Sequence, residues 1–262
     1  MSHINCPFSQ KSGVVLTSAT LSTSGHFDYV KQRLGVQDAE ELLLGSPFDY
    51  KRAALMLIPT DMPEPSHPRY QKDLEAALIA LCGASKGRAL VLFTSHAALR
   101  ATAHATRQPL ERQGIRVLAQ GVDGTAAELL ERLKARSSAV IYGTSSFWEG
   151  IDVVGEALSL LVITKLPFSV PTDPVFAARS ALFDEPFREF ALPQAVLKFK
   201  QGFGRLIRHK ADRGAVVVLD RRVRSKGYGK TFLESLPGCS ISEASTQQLP
   251  ALVGRWLAAR PA

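Results

Sequence analysis

Apolar residues along the chain fall into two alternating kinds of segment. Short uninterrupted runs of Val, Ile, Leu and Ala are typical of buried parallel strands, and they occur at 13–21, 53–59, 88–95, 115–120, 138–144, 158–168 and 214–220. Apolar residues at helical spacing predict helices at 25–35, from Arg69 to about Cys82, and at 96–107, 125–135, 174–182, 192–209 and 246–258. Because strands alternate with helices, the pattern predicts an α/β fold: a doubly wound, mostly parallel sheet with helices on both faces.

We expect the whole chain, 1–262, to form one open domain of this type. The stretch TDMPEPSHP (60–68) holds three prolines in nine residues and is expected to be a connecting loop. Ligands of such sheets bind at the carboxyl ends of the strands. Four predicted strand ends carry small polar or glycyl residues: Thr17–Thr20, Phe93–Ser95, Gly143–Asp152 and Lys165–Phe168.

The charge balance favours an anionic partner. The chain has 32 Lys and Arg against 24 Asp and Glu, a net charge of +8, which favours nucleic acid or nucleotide. No apolar run reaches the roughly 18–20 residues that span a bilayer, and the N-terminus lacks a secretory signal. We therefore expect a cytoplasmic protein without a membrane partner.

The cysteines and histidines carry no pattern of a metal or disulfide site. Cys6, Cys82 and Cys239 are scattered and odd in number, so free thiols are expected. The four clustered cysteines of an iron–sulfur site are absent, and the six histidines show no ligand spacing.

The decapeptide QGFGRLIRHK combines glycines with regularly spaced polar residues. If it is helical, Gln201, Arg205 and Arg208 share one face at i, i+4 and i+7. Gly202 and Gly204 each cost roughly 1 kcal/mol in a helix interior, which close approach of another surface would explain. A solvated basic face is the alternative.

The segment TSSFWEGIDVVG (144–155) follows a predicted strand. Hydroxyls and backbone N–H groups at Thr144 and Ser145 suit phosphate oxygens. Glu149 and Asp152 flank Gly150 and can accept from a ribose hydroxyl, orient an arginine or approach a metal; a surface turn is the alternative.

Aromatic and hydroxyl side chains at the strand ends allow two interpretations each. Phe147 and Trp148 can stack on a base, although core packing is the simpler explanation. Thr94 and Ser95 can contact phosphate at a helix N-terminus, or Ser95 can simply be an N-cap.

No complete ATPase site is present in the sequence. GYGKTF (227–232) ends like a phosphate-binding loop, but Arg224 stands where the first glycine is required. No Asp-Glu pair followed by Ala-His or Ala-Asp occurs on a predicted strand, and the Gly-x-Ser-x-Gly pattern of hydrolases is absent.

Taken in order, these stretches resemble the second RecA-like domain of superfamily 2 helicases of the DinG–XPD family. The matching segments are LTSATLS (16–22) for motif III, LVLFTSH (90–96) for motif IV, GTSSFWEGIDVVGEALSLLVITKLPF (143–168) for motif V, QGFGRLIRH (201–209) for motif VI and LDRRVRSKGYGKTFLESLP (219–237) for the family's ending. The Phe-Trp-Glu-Gly sequence within motif V is similar to that of the bacterial DinG and YoaA branch.

The resemblance implies a role for each motif in an ATP-driven cycle. Arg205 and Arg208 would be arginine fingers on the γ-phosphoryl group, oriented by Gln201. The residues implied at the nucleotide are Glu149, Gly150, Asp152 and Gly204. The residues implied along single-stranded DNA are Thr94, Ser95, Thr144, Ser145 and Phe147 or Trp148. Ser18 and Thr20 would couple the two tasks.

The family's phosphate-binding loop, Asp-Glu-Ala-His box and iron–sulfur cysteines are missing here. The resemblance therefore implies the C-terminal part of a longer 5′–3′ DNA helicase of repair or replication, inactive alone. ATP, Mg²⁺ and any 4Fe–4S cluster would belong with an N-terminal helicase domain.

Two other functions are compatible with the sequence. A docking module could bind the replication machinery, such as a clamp-loader accessory subunit, through the apolar stripe of 246–258: Leu249, Leu252, Val253 and Trp256. Alternatively, the basic excess could serve ATP-independent nucleic-acid binding.

Overall fold

The computed structural model describes residues 8, 11–18, 20–23, 25–36, 38–135, 138–149 and 158–259. These residues divide between two compact units. We call the unit formed by 46–167 and 198–262 the sheet unit, and the one formed by 1–45 and 168–197 the small unit.

The sheet unit is built on parallel strands. Within the described ranges the strands are β1 (Ala54–Pro59), β2 (Ala89–Leu92), β3 (Arg116–Ala119), β4 (Ala139–Gly143), β5 (Leu160–Ile163), β6 (Gly214–Val218) and β7 (Ser240–Ala244). They form one sheet in the order β3-β4-β2-β5-β6-β1-β7, and each neighbouring pair is parallel. The predicted α/β class with a parallel sheet is confirmed.

Helices connect the strands, as the alternating pattern predicts. Those of the sheet unit are α2 (Tyr50–Ala53), α3 (Tyr70–Ala84), α4 (His96–Glu111), α5 (Ala126–Lys134), α6 (Ser145–Trp148), α9 (Arg222–Ser225), α10 (Gly229–Glu234) and α11 (Leu249–Ala258). The small unit holds α1 (Asp28–Leu34), α7 (Pro174–Ser180) and a π-helical turn (Phe187–Ala191). Helix α8 (Leu192–Phe203) begins in the small unit and ends in the sheet unit.

Both faces of the central strands are buried. Val91 and Leu92 are successive residues of β2, so their side chains point to opposite faces, and both are fully buried. Val91 belongs to the core cluster that includes residues of α3, α4 and α11. Leu92, on the other face, lies under Gly202 of α8.

The register of the sheet brings several strand ends to one level. Leu92 of β2 pairs with Gly143 of β4 on one side and with Ile163 of β5 on the other. Ala119 of β3 pairs with Tyr142 of β4. The residues that follow these positions therefore emerge side by side at the carboxyl edge.

Aromatic rings pack together in the small unit. Phe176 and Phe183 each lie 5.2 Å from Phe190 between ring centroids, and the Arg33 guanidinium stands 5.4 Å from the centre of the Phe190 ring. No helix in the described ranges is long and apolar enough to cross a bilayer.

Two of the three cysteines lie in the described chain, and both are free thiols, as expected. Cys82 is fully buried, and burial raises the pKa of its thiol to about 12. Cys6 lies outside the described residues.

Three features of the sequence prediction are wrong. Residues 13–18 form no strand, and Val15 is 89% exposed, because no described strand offers them hydrogen-bond partners. Helix α8 ends at Phe203 rather than at 209. Strand β7, which pairs only with β1, was not predicted.

Candidate functional site

A hydrogen-bonded polar cluster lies where β3, β4 and β2 end. The Gln120 Oε1 accepts from the Thr144 backbone N–H (2.8 Å) and hydroxyl (3.1 Å), while the Gln120 Nε2 donates to the Ser146 Oγ (3.2 Å). The His96 Nε2 lies 3.1 Å from the Thr144 Oγ1. Because the Thr144 hydroxyl donates to Gln120, its oxygen is left to accept from the His96 ring.

The turn after β3 holds Gln120 in place. The Gly121 N–H donates to the Gly124 carbonyl, and Gly121 has φ 74°, a conformation that favours glycine. The Asp123 carboxylate accepts from the Ala119 N–H and the Arg107 guanidinium, both at 2.7 Å. Gln120 was not predicted as a site residue, although its place directly after a buried strand was an available signal.

The predicted phosphate ligands divide into inward and outward groups. Thr144 is only 3% exposed, and its hydroxyl and N–H are already bonded within the cluster. Thr94, Ser95 and Ser145 are exposed at the same edge. The Ser95 hydroxyl also caps α4 by accepting from the Ala98 N–H at 3.4 Å. Thr144 is thus placed to shape the turn, and the other three to face solvent.

The aromatic pair of motif V is buried. Trp148 is 0% exposed and donates its indole N–H to the Phe93 carbonyl at 2.9 Å. The Phe147 ring packs directly over Gly143, where a Cβ would clash with it. Both rings are buried, which favours the packing alternative over the predicted contact with a base.

Arg205 lies against the motif V turn. Its side chain is largely buried, with the residue 9% exposed, and its Nη2 donates to the Trp148 carbonyl at 3.0 Å. The next residue along that turn, Glu149, is exposed. The structure therefore brings Arg205 of motif VI and the start of the motif V loop together.

The expectation that Gln201, Arg205 and Arg208 share one helical face is wrong, because α8 ends before the two arginines. The backbone N–H groups of Arg208 and His209 bond to the Asp212 carboxylate, both at 2.8 Å, instead of continuing the helix. Gln201 and Arg208 are half-buried.

The charge of Arg208 influences the pKa of Tyr50, the first residue of α2. Burial raises the pKa of Tyr50, whereas a hydrogen bond with Ser46 and the positive charge of Arg208 partly oppose this rise. The Tyr50 ring packs 5.6 Å from the Phe203 ring, centroid to centroid.

At Gly202 another residue does approach the backbone closely, as predicted from the glycines of the decapeptide. A Cβ there would lie 2.8 Å from ring carbons of Trp148. Gly204 differs, since a Cβ at that position would meet nothing nearer than 3.5 Å. The neighbour that requires glycine is thus a residue of the same unit.

Four predicted residues lie outside the described part of the sheet unit. Gly150 and Asp152 lie outside the described residues. Ser18 and Thr20 belong to the small unit, where the Thr20 N–H donates to the Ser18 hydroxyl at 3.2 Å. Within the described ranges, no group of three or more His, Cys, Asp or Glu side chains is placed to hold a metal ion.

A second polar cluster lies where β5 and β6 end. The buried Asp220 carboxylate accepts from the Leu166 N–H (2.8 Å) and, through both oxygens, from the Arg222 Nε (2.9 Å) and Nη2 (2.6 Å). The Lys165 ammonium stands 5.2 Å from the centre of the Tyr70 ring. Burial and the nearby Arg222 charge lower the pKa of Lys165.

The chain is similar to helicases and related proteins in both sequence and family pattern. The model of the helicase C-terminal domain family matches residues 78–239. ATP-dependent DNA helicase YoaA of Escherichia coli strain K12 is 43% identical over 227 residues, which cover 85% of this chain and 35% of that protein. The 3′-5′ exonuclease DinG of Bacillus subtilis strain 168 is 37% identical over 256 residues, or 94% of this chain and 28% of that protein.

Solved structures agree on the fold. An XPD helicase structure superposes with a TM-score of 0.58 at 18% identity, covering 82% of this chain and 40% of the other. S. cerevisiae Dbp5 bound to RNA and ADP BeF3 gives 0.51 at 15% identity, covering 88% and 51%. The chain spans about a third of the length of the relatives that it matches. The family model matches more than half of the chain, so this chain belongs to the helicase C-terminal domain family, and the DinG and YoaA proteins are among its relatives.

Proposed function

We propose that the chain is the C-terminal part of an ATP-dependent 5′–3′ DNA helicase of the DinG and YoaA type, working in DNA repair or replication in the cytoplasm. The observation that carries the proposal is the contact of the Arg205 guanidinium with the Trp148 carbonyl, beside the exposed Glu149. In a chain of this family, that contact joins motif VI to motif V.

In the proposed mechanism, Arg205 and Arg208 stabilise charge on the γ-phosphoryl group of ATP. Arginines held in place before the reaction can contribute this stabilisation without reorganising during it. The Trp148 carbonyl fixes one guanidinium in advance. Gln201 and Gly204 border the nucleotide in this mechanism, as do Glu149, Gly150 and Asp152.

An N-terminal helicase domain supplies the rest of the proposed ATP site. ATP and Mg²⁺ bind mainly to that domain, which would also hold any 4Fe–4S cluster. In this proposal the chain alone neither hydrolyses ATP nor unwinds DNA, and Ser18 and Thr20 couple hydrolysis to movement.

The proposed single-stranded DNA track runs along the ends of β4 and β2. The exposed hydroxyls of Thr94, Ser95 and Ser145 donate to phosphate oxygens there. The Gln120–Thr144–His96 cluster fixes the turn that presents Ser145. Phe147 and Trp148 act from beneath by anchoring α6 to the sheet.

The test is ATP hydrolysis by the chain alone and by the chain joined to the N-terminal part of E. coli YoaA, each with single-stranded DNA. We expect turnover only in the joined protein. Arg205→Ala should lower kcat by roughly 10³–10⁵, the range for arginine fingers. Arg100→Ala, which removes an exposed arginine on α4, is the matched control.

Because Arg205 is largely buried, Arg205→Lys and a urea unfolding curve of each variant separate loss of catalysis from loss of folding. Undiminished turnover in a folded Arg205→Ala protein would contradict the arginine-finger role. ATP hydrolysis by the chain alone would contradict the need for a second domain.

The docking alternative loses its expected surface. Leu249 and Val253 are fully buried, and the Trp256 indole N–H donates to the Gly214 carbonyl at 2.8 Å. These contacts favour core packing over docking of a clamp-loader accessory subunit for this stripe. The other alternative, ATP-independent nucleic-acid binding, would use the same DNA track. It differs from the helicase proposal in that the affinity for DNA would not change when a nucleotide is added.

A further inference from the structure

The end of β5 continues the row of residues that the DNA track uses. Gly143, Leu92 and Ile163 are paired across three neighbouring strands. Two residues after each of them come Ser145, Thr94 and Lys165, respectively. Neighbouring strands lie about 4.8 Å apart, so Lys165 stands one strand beyond Thr94 along the same edge.

The Lys165 side chain is held in a defined place. Its ammonium lies over the Tyr70 ring, 5.2 Å from the centroid, which is the geometry of a cation–π contact. The Tyr70 hydroxyl in turn donates to the carbonyl of Thr164. Lys165 is half-buried, so its head group does not move freely in solvent.

The carboxylate near Lys165 is already saturated with donors. Asp220 accepts from the Leu166 N–H, the Arg222 N–H and two nitrogens of the Arg222 guanidinium. Among the described residues, no carboxylate lies within ion-pair distance of the Lys165 ammonium.

Two cations lie near one buried carboxylate. The charges of both Lys165 and Arg222 interact with Asp220, and Arg222 also interacts with Glu64. The next charged pair, Lys226 with Glu64 at 3.4 Å, is neutral overall. Two half-buried cations that share one carboxylate disfavour each other, and an anion placed between them would stabilise both.

We propose that Lys165, with Arg222 beside it, forms an anion site for one phosphodiester of single-stranded DNA and extends the track from β2 to β5. The site rests on the proposed DNA-binding function. A phosphodiester is favoured over a nucleotide phosphate because Lys165 stands in line with Thr94 and Ser145.

The experiment measures the affinity of the whole chain for a fluorescently labelled oligo(dT) of 20 nucleotides by anisotropy, between 50 and 200 mM KCl. Each phosphate contact on a single strand contributes about 0.7 to the slope of log K against log salt. Lys165→Ala should weaken binding several-fold and reduce that slope by about 0.7, and Lys165→Arg should restore most of both.

Lys86→Ala is the matched control, because this exposed lysine lies before β2, at the amino edge of the sheet, and its loss changes net charge equally. Urea unfolding of the Lys165 variants verifies that they fold. Excess inorganic pyrophosphate or ATP should not displace the oligonucleotide more from the unaltered chain than from Lys165→Ala.

A Lys165→Ala protein that binds with unchanged affinity and slope would overturn the site while leaving the rest of the track intact. Selective competition by ATP or pyrophosphate that depends on Lys165 would overturn the assignment to DNA. Absence of salt-dependent binding by the unaltered chain would instead contradict the proposed DNA track, and the site with it.

Discussion

Gly202 and Gly204 show how neighbouring identical residues can have different structural reasons. Position 202 requires glycine for steric reasons, since the Trp148 ring lies where a Cβ atom would be. Gly204 follows the last residue of α8 and has room around it. The next backbone N–H groups, those of Arg205 and Leu206, donate to the Gly202 and Phe203 carbonyls, so the chain tightens into a turn where α8 ends.

Gly202→Ala should therefore lower the free energy of unfolding, because overpacking a core costs about 1–3 kcal/mol. The gain in helix propensity from Gly to Ala, about 1 kcal/mol, works in the opposite direction and limits the net effect. Gly204→Ala, as the matched control, should leave stability unchanged or slightly higher. Urea unfolding curves measure both, and equal stability of the two variants would contradict the packing argument.

Residue type alone did not reveal which way a side chain points at the carboxyl edge. The hydroxyls of Thr144 and Ser145 are adjacent in sequence, yet one is buried in a hydrogen-bond cluster and the other is exposed. The partner that turns Thr144 inward is Gln120, 24 positions away in the chain. Only the register of β3 with β4 brings them together.

At the scale of elements, apolar runs predicted every strand of the described sheet except β7. Six of the seven strands of the described sheet fall within runs predicted from sequence, because burial on both faces requires continuous apolar residues. Strand β7 has the sequence SISEA with alternating exposure at the edge of the sheet. Because β7 is partly polar, it was not recognised as a strand. Residues 13–18 are apolar enough for a strand, but no described strand pairs with them.

Helix α5 begins with a capping box that makes its N-terminus sensitive to pH. The Glu128 carboxylate accepts from the Thr125 N–H at 2.8 Å, and the Thr125 hydroxyl accepts from the Glu128 N–H at 3.4 Å. These bonds lower the pKa of Glu128. A folded-state pKa below the unfolded one means that the stabilisation is complete above about pH 4.3 and disappears as pH falls through the folded value.

Glu128→Gln should therefore be less stable than the unaltered chain at pH 7, and the difference should shrink on acidification below about pH 4. Urea unfolding of both proteins across this range measures it. A difference that stays constant with pH would show that the charge of Glu128 contributes nothing. Thr125→Ala, which removes the hydroxyl cap, should cost about 0.5–2 kcal/mol at pH 7.

At the scale of the whole molecule, apolar and polar residues occupy different parts of the sheet unit. Apolar residues are buried on both faces of the sheet, and hydrogen-bonded polar residues cluster where the strands end. The fold was thus foreseeable from sequence, and the site only in outline. Arg205 and the strand-end hydroxyls were identified by motif, while Gln120 and the arrangement of Lys165 needed the sheet order and register.

The apolar stripe of helix α11 could either complete the core of the sheet unit or bind a partner, and substitutions in this helix distinguish the two. Its apolar stripe faces the same core cluster as α3, and the Arg213 guanidinium covers the Trp256 ring at 4.1 Å from the centroid. Removing a fully buried leucine side chain costs the transfer energy and leaves a cavity. Leu249→Ala should therefore lower the free energy of unfolding of the sheet unit by about 2–5 kcal/mol.

Arg255→Ala, on the exposed side of the same helix, should change that free energy by no more than about 0.5 kcal/mol. Urea unfolding followed by tryptophan fluorescence measures both variants, because Trp148 and Trp256 both lie in the sheet unit. A stripe used for docking would give the reverse outcome: Leu249→Ala would keep the stability of the unaltered chain and lose a partner. A loss of stability confined to Leu249→Ala would show that this helix completes the core, so that a partner would have to bind another surface.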